Sequence, residues 1–184
     1  MLVLLKRVKK TFAQHSAEFY RDKKSRRHSA VNSLNEAPLR AELQNFFKNR
    51  YYLFTKYDQG IKIDDEGWYS VTPEAMAKHI AQRVHENLGQ GDLNIYDPFC
   101  GVGGNLIQFA KKCGFACGTD IDQIKVEYSI HNSGIYNVSN KISVVKRDFF
   151  EATLKDLAIP ESRPQQVDAI FLSPPWGGVG YRNL

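Results

Sequence analysis

The spacing of apolar positions changes near residue 90. Between Pro38 and Phe54, Leu39, Leu43, Phe46 and Phe47 recur at helical spacing and predict a helix with Pro38 near its first turn. Residues 1–20 also read as a helix, and 21–37 as a polar, charge-rich linker. Tyr57 to Ser70 alternates Asp, Gly and Lys and predicts an ordered loop. Thr72-Pro73-Glu74 reads as a helix start: a hydroxyl cap, a proline in the first turn, and an acid near the positive end of the dipole. Met76, Ile80, Val84 and Leu88 then mark one apolar face.

After Gly89-Gln90-Gly91 short apolar runs alternate with helical patterns. Strands are predicted at Leu93–Asp97, Phe115–Thr119, Ile142–Lys146 and Val167–Leu172. Helices are predicted at Asn105–Cys113, Gln123–Ser133 and Phe149–Leu157. This alternation implies right-handed crossovers and an α/β fold, with a parallel sheet covered on both faces. Three parts follow: an N-terminal arm (1–37), a helical extension (38–90) and a Rossmann-like core (91–184). Doubly wound domains usually carry five or more strands. The sheet therefore reads as incomplete, either because the chain is a fragment or because a partner supplies the rest.

Composition narrows the class. The 184 residues are 42% hydrophobic and 12% aromatic, enough for a globular core. No apolar run approaches the roughly 20 residues of a membrane span. The run Met1–Leu5 is too short for a secretory signal, and its cations follow it instead of preceding it. Cys100, Cys113 and Cys117 show no paired spacing, which suits a reducing compartment and gives no metal site. Charge is uneven. Residues 1–50 hold 12 Lys+Arg and 4 Asp+Glu and residues 51–184 hold 13 and 16; the balances of +8 and −3 give the chain's +5. A basic arm with interspersed aromatics suits RNA phosphates, and a solvated tail is the equal alternative.

Two segments carry candidate chemistry. In Asp97-Pro98-Phe99-Cys100-Gly101-Val102-Gly103-Gly104-Asn105 an acid ends a strand and a glycine loop opens a helix. A second acid, Asp120, ends the next strand, at the separation suited to ribose hydroxyls, and Asp148 follows the third, within reach of an adenine amine. The loop lacks the third glycine of a dinucleotide fingerprint, and a carboxylate at Asp97 would repel a pyrophosphate. Both features suit a cationic nucleoside, S-adenosylmethionine. In Ser173-Pro174-Pro175-Trp176-Gly177-Gly178 the prolines fix the backbone and remove its donors. Free carbonyls and the Ser173 hydroxyl can then accept N–H bonds from an exocyclic amine, while Trp176 stacks on its base. Both segments fall at strand C-termini, where open α/β sheets bind ligands.

The second motif resembles the amine-directed class I S-adenosylmethionine-dependent methyltransferases. The longer context, with Gly67-Trp68-Tyr69-Ser70-Val71-Thr72-Pro73-Glu74 and Ile107-Gln108-Phe109-Ala110, resembles the trimethylguanosine synthase family over residues 46 to 181. That family methylates guanine N2 of the 7-methylguanosine cap of small nuclear and nucleolar RNAs. The resemblance implies that Asp97, Asp120, Asp148, Cys100, Gly101, Gly103 and Asn105 bind the cofactor, with Thr72 and Phe54 closing over it. It implies that Ser173, Pro174 and Trp176 hold the cap guanine at the reacting amine, with Asn132, Glu66 and Ser70 on the substrate side. It places the protein in the nucleus, the nucleolus or Cajal body included, with some cytoplasmic presence. The family's chains continue past the Pro-Pro-Trp turn with further strands and an arginine for the cap phosphates. Two alternatives stand beside this reading: an adenine-N6 nucleic-acid methyltransferase, and a catalytically silent form that binds RNA or partners.

Overall fold

A computed structural model describes residues 43–175. The basic arm, the start of the helix predicted from Pro38, and Trp176 to Gly178 lie outside the described residues.

Four parallel strands form one sheet: β1 (Leu93–Asp97), β2 (Gly114–Asp120), β3 (Ile142–Lys146) and β4 (Ala169–Ile170). Their order across the sheet is β3-β2-β1-β4. β1 pairs with β2 from Leu93↔Gly114 to Asp97↔Gly118, and with β4 at Ile95↔Ala169 and Tyr96↔Ile170. Before the sheet come short helices α1 (Gln44–Lys48), α2 (Arg50–Leu53) and α3 (Gly67–Ser70), then the longer α4 (Glu74–Asn87). Helices α5 (Gly104–Lys112) and α6 (Gln123–Ile135) link β1 to β2 and β2 to β3.

The topology follows from handedness. The chain steps from β1 to β2 to β3 in one direction, so right-handed crossovers put α5 and α6 on one face. It then reverses and reaches β4 across the opposite face. Side-chain alternation along the strands matches this division. Ile95 and Ala116 join the core of Leu106, Phe109 and Val102, whereas Tyr96, Phe115, Cys117 and Ile170 pack against Leu157, Ile159 and Val167.

Several elements depart from the sequence expectation. The helix running to Phe54 is broken at Asn49 into α1 and α2, and the loop predicted over 57–70 contains a 3-10 turn (Tyr57–Gln59) and α3. Residues 149–157 form successive turns instead of a helix. There Asp148 accepts the Phe150 N–H at 2.9 Å, and Asp156 accepts from both the N–H and the hydroxyl of Thr153. Such side-chain bonds compete with a helical ladder. The fourth strand is two residues long. The buried face of α4 is Glu74, Ala77, Ala81 and Val84, and Met76 is exposed. Thr72 does not cap α4; Pro73 occupies that position.

Candidate active site

The site lies at the C-terminal edge of the sheet. Reversal of the strand order between β1 and β4, which themselves run parallel, opens the crevice where α/β sheets take ligands. The Phe171 N–H donates to the Tyr96 carbonyl at 2.8 Å, so the chain leaving β1 at Asp97 and the chain leaving β4 toward Ser173 emerge side by side.

The glycine loop is folded by its own backbone. Cys100 N–H donates to the Thr119 carbonyl and Gly103 N–H to the Cys100 carbonyl, at 3.0 and 2.9 Å. Gly101 and Gly103 both take left-handed φ, at 53° and 92°. A Cβ at Gly103 would lie 2.7 Å from Ser129 Oγ, so this glycine lets the loop touch α6. A Cβ at Gly101 would meet nothing within 4 Å, so this glycine faces open space.

Asp97 is 1% exposed and accepts the Phe99 N–H at 3.3 Å. Burial pushes its carboxyl up to about 7, and the charge of Asp120 adds to the rise. Asp97 makes no ion pair among the described residues. A buried carboxylate without a cation is costly, and a ligand that brings one relieves it. Asp120 accepts the N–H groups of Gly101 and Asp122, both at 3.0 Å. Burial raises its pKa, and Lys125 opposes the rise. A carboxylate has about four acceptor positions, so Asp120 keeps capacity for two hydroxyls. The Asn105 amide donates to Thr72 Oγ at 2.8 Å, while its Oδ1 is buried with no partner. That orphan acceptor at the start of α5 suits a donor such as an ammonium. Ile121 is 68% exposed beside Asp120, an apolar surface fit for a base face. The donor set thus fits S-adenosylmethionine, which carries an ammonium, a sulfonium and a ribose.

The remaining sequence candidates are placed as follows. Asp148 is half-buried after β3, and Cys100 is buried, its thiol raised by burial. Phe54 is 2% exposed and packs 6.3 Å from Tyr136 in the core. Asn132 is fully buried. Its Oδ1 accepts the Lys62 N–H, and its amide donates to the carbonyls of Lys62 and Val102. It braces the 60s segment and the glycine loop and presents no exposed face. Ser70, Ser173 and Pro174 are exposed, and Glu66 is half-buried. Among the described residues no group of three or more His, Cys, Asp or Glu is placed to hold a metal.

The sequence reading passed over Lys125. Its Nζ lies 2.7 Å from Glu66 Oε2 and 4.0 Å from Asp64 Oδ2. The available signal was a lysine in the first turn of the predicted helix after Asp120, at the dipole end that disfavours cations.

An open parallel sheet of this order, with an acid at each of two adjacent strand tips and a phosphate-averse glycine loop, defines a class I, Rossmann-like S-adenosylmethionine-dependent methyltransferase domain. A family model described as RNA cap guanine-N2 methyltransferase matches residues 93–184, and the chain belongs to that family. The trimethylguanosine synthase of Schizosaccharomyces pombe is 41% identical over 145 residues, covering 78% of this chain and 58% of that protein. The trimethylguanosine synthase of Saccharomyces cerevisiae is 32% identical over 186 residues, covering 94% of this chain and 58% of that protein. The chain thus spans 58% of the length of each yeast relative. Among solved structures, the human methyltransferase 10 domain containing protein aligns over 66% of this chain and 58% of that chain, at 17% identity and a TM-score of 0.48.

Proposed function

We propose that the protein methylates N2 of the 7-methylguanosine cap of small nuclear and nucleolar RNAs, leading to 2,2,7-trimethylguanosine. The observation that carries this reading is the adjacency of β1 and β4, which delivers Asp97 and the Ser-Pro-Pro turn to one edge of the sheet. S-adenosylmethionine supplies an electrophilic methyl on a sulfonium. Asp97 and Asn105 would hold its amino-acid end and Asp120 its ribose. Ser173 and the donor-free carbonyls before Pro174 and Pro175 would accept the N–H bonds of the guanine amine. Drawing those hydrogens out of the ring plane returns lone-pair density to the nitrogen. After transfer its surplus proton passes to water. Trp176 would stack on the base, and a cation over an indole face is worth about 0.5–2 kcal/mol. The positive charge of an N7-methylated guanine would thereby be selected over plain guanine.

The basic arm would add contacts to RNA phosphates. The Lys23-Lys24-Ser25-Arg26-Arg27 cluster supports a nuclear site of action, the nucleolus or Cajal body included.

The test is transfer of labelled methyl to 7-methylguanosine cap analogue, to GTP and to adenine-containing oligonucleotides. Label is expected on the N7-methylated guanine alone, falling to background in Trp176→Ala. Label on adenine would move the assignment to an adenine-N6 enzyme. Cofactor binding without transfer, restored in a longer chain, would identify a silent binding form.

A further inference from the structure

Lys125 is the third residue of α6, and its side chain is 11% exposed. The positive end of a helix dipole disfavours a cation there. Neighbouring acids compensate: Nζ donates to Glu66 Oε2 at 2.7 Å, lies 4.0 Å from Asp64 Oδ2, and acts electrostatically on Asp120. Burial lowers the lysine's pKa, but Asp64, Glu66 and Asp120 outweigh it and raise it overall. The ammonium is therefore permanently charged at neutral pH.

Its partners belong to two different halves of the site. Asp120 ends β2 on the cofactor side. Glu66 anchors α3, since its carbonyl accepts the N–H groups of Tyr69 and Ser70 at 3.2 and 3.0 Å. The hydrogen bonds between the 60s segment and Asn132 are neutral ones, made by the backbone of Lys62. Neutral bonds gain less than charged ones when water leaves. An ion pair strengthens as the local dielectric falls. A ligand settling over Asp120 expels water beside Lys125 and so strengthens the ammonium's own 2.7 Å bond to Glu66, which holds α3.

We infer that Lys125 is a positioning residue that couples cofactor binding at Asp120 to the ordering of the Asp64–Ser70 segment for the substrate. This rests on the proposed reading of the site as a cap methyltransferase. Coupling of this kind is reciprocal, so each ligand tightens the other by the same factor, about fivefold or more.

The experiment is calorimetric titration of the full chain with S-adenosylhomocysteine and with 7-methylguanosine triphosphate, each alone and in the presence of the other. The wild type is expected to show coupling of about fivefold or more in both directions. Lys125→Met is expected to bring the factor close to one, and Lys125→Arg to restore most of it. Glu66→Gln keeps the side-chain shape, removes the charge, and is expected to lose the same coupling. Full coupling in Lys125→Met or in Glu66→Gln overturns the inference, as does a well-folded Lys125→Arg that fails to restore it. If Lys125→Met does not fold, the Glu66→Gln and Lys125→Arg results decide alone. A wild type that binds both ligands without coupling overturns this inference only. A wild type that binds neither overturns the functional reading along with it.

Discussion

The Asp97 carboxyl is sealed at the tip of β1 with one backbone donor, from Phe99, and the charge of Asp120 in its field. Its folded-state value of about 7 lies above the ordinary 3.8. In the ligand-free protein the folded form therefore binds this proton more tightly than the unfolded form. The group's contribution to stability falls as pH rises from about 4 to about 7, and the loss is complete above that. At about 1.4 kcal/mol per unit the loss approaches roughly 4 kcal/mol. Asp97→Asn is accordingly expected to be more stable than wild type at pH 8 and nearly equal at pH 4, by urea denaturation. A cationic ligand needs the ionised form. Wild-type affinity for S-adenosylmethionine should therefore tighten between pH 6 and 8, while Asp97→Asn binds at least about tenfold more weakly with a flat profile. Equal slopes in the two proteins would remove Asp97 from the site.

At the level of elements, the glycine loop and α6 are one unit. Gly103 holds φ at 92° with Ser129 where its side chain would be. Gly103→Ala meets both a left-handed backbone, costing about 1–2 kcal/mol, and a clash that must displace α6. We expect a loss of about 2–4 kcal/mol in stability, with cofactor binding falling more steeply than stability because the loop no longer lies against α6. Denaturation and ligand titration on the same variant check both. Local rules made much of this layer legible. β1 and β3 fall on the predicted residues, because glycine or polar breaks bound each apolar run. The acid-tipped strands and the loop were legible for the same reason. What escaped depends on distant partners. Glu74 is 3% exposed in α4 because Thr55, Lys78 and Tyr136 reach its carboxylate. No heptad count finds a buried acid, so the face of α4 was read one step off. Thr72 looks like a cap in isolation but is turned to Asn105, 33 residues away. The resemblance sets Asn132 on the substrate side, whereas its amide is taken up by Lys62 and Val102, residues distant in the chain.

On the scale of the whole molecule, charge is unevenly divided along the sequence. Residues 1–50 carry the excess of Lys and Arg, and the rest of the chain is slightly acidic. If the arm meets RNA phosphates, deleting residues 1–37 should weaken RNA binding and flatten the slope of log affinity against log salt by about 0.7 for each single-strand phosphate that is no longer neutralised. An unchanged slope would show the arm to be a passive tail. The opposite arrangement holds around Asp97 and Asp120, where negative charge is concentrated at the sheet edge. Excess positive charge and the buried carboxylates thus lie in different parts of one chain.

The ladder between β1 and β4 pairs only two positions, whereas β1 and β2 share five. Backbone bonds from Asp168 to Asn94 and from Phe171 to Tyr96 extend that short seam at either end, and along it Asp97 and the chain toward Ser173 emerge. Thermal breathing there would part them, and a molecule lodged between the two strand tips would add ties across it. In such an architecture occupancy would itself add rigidity.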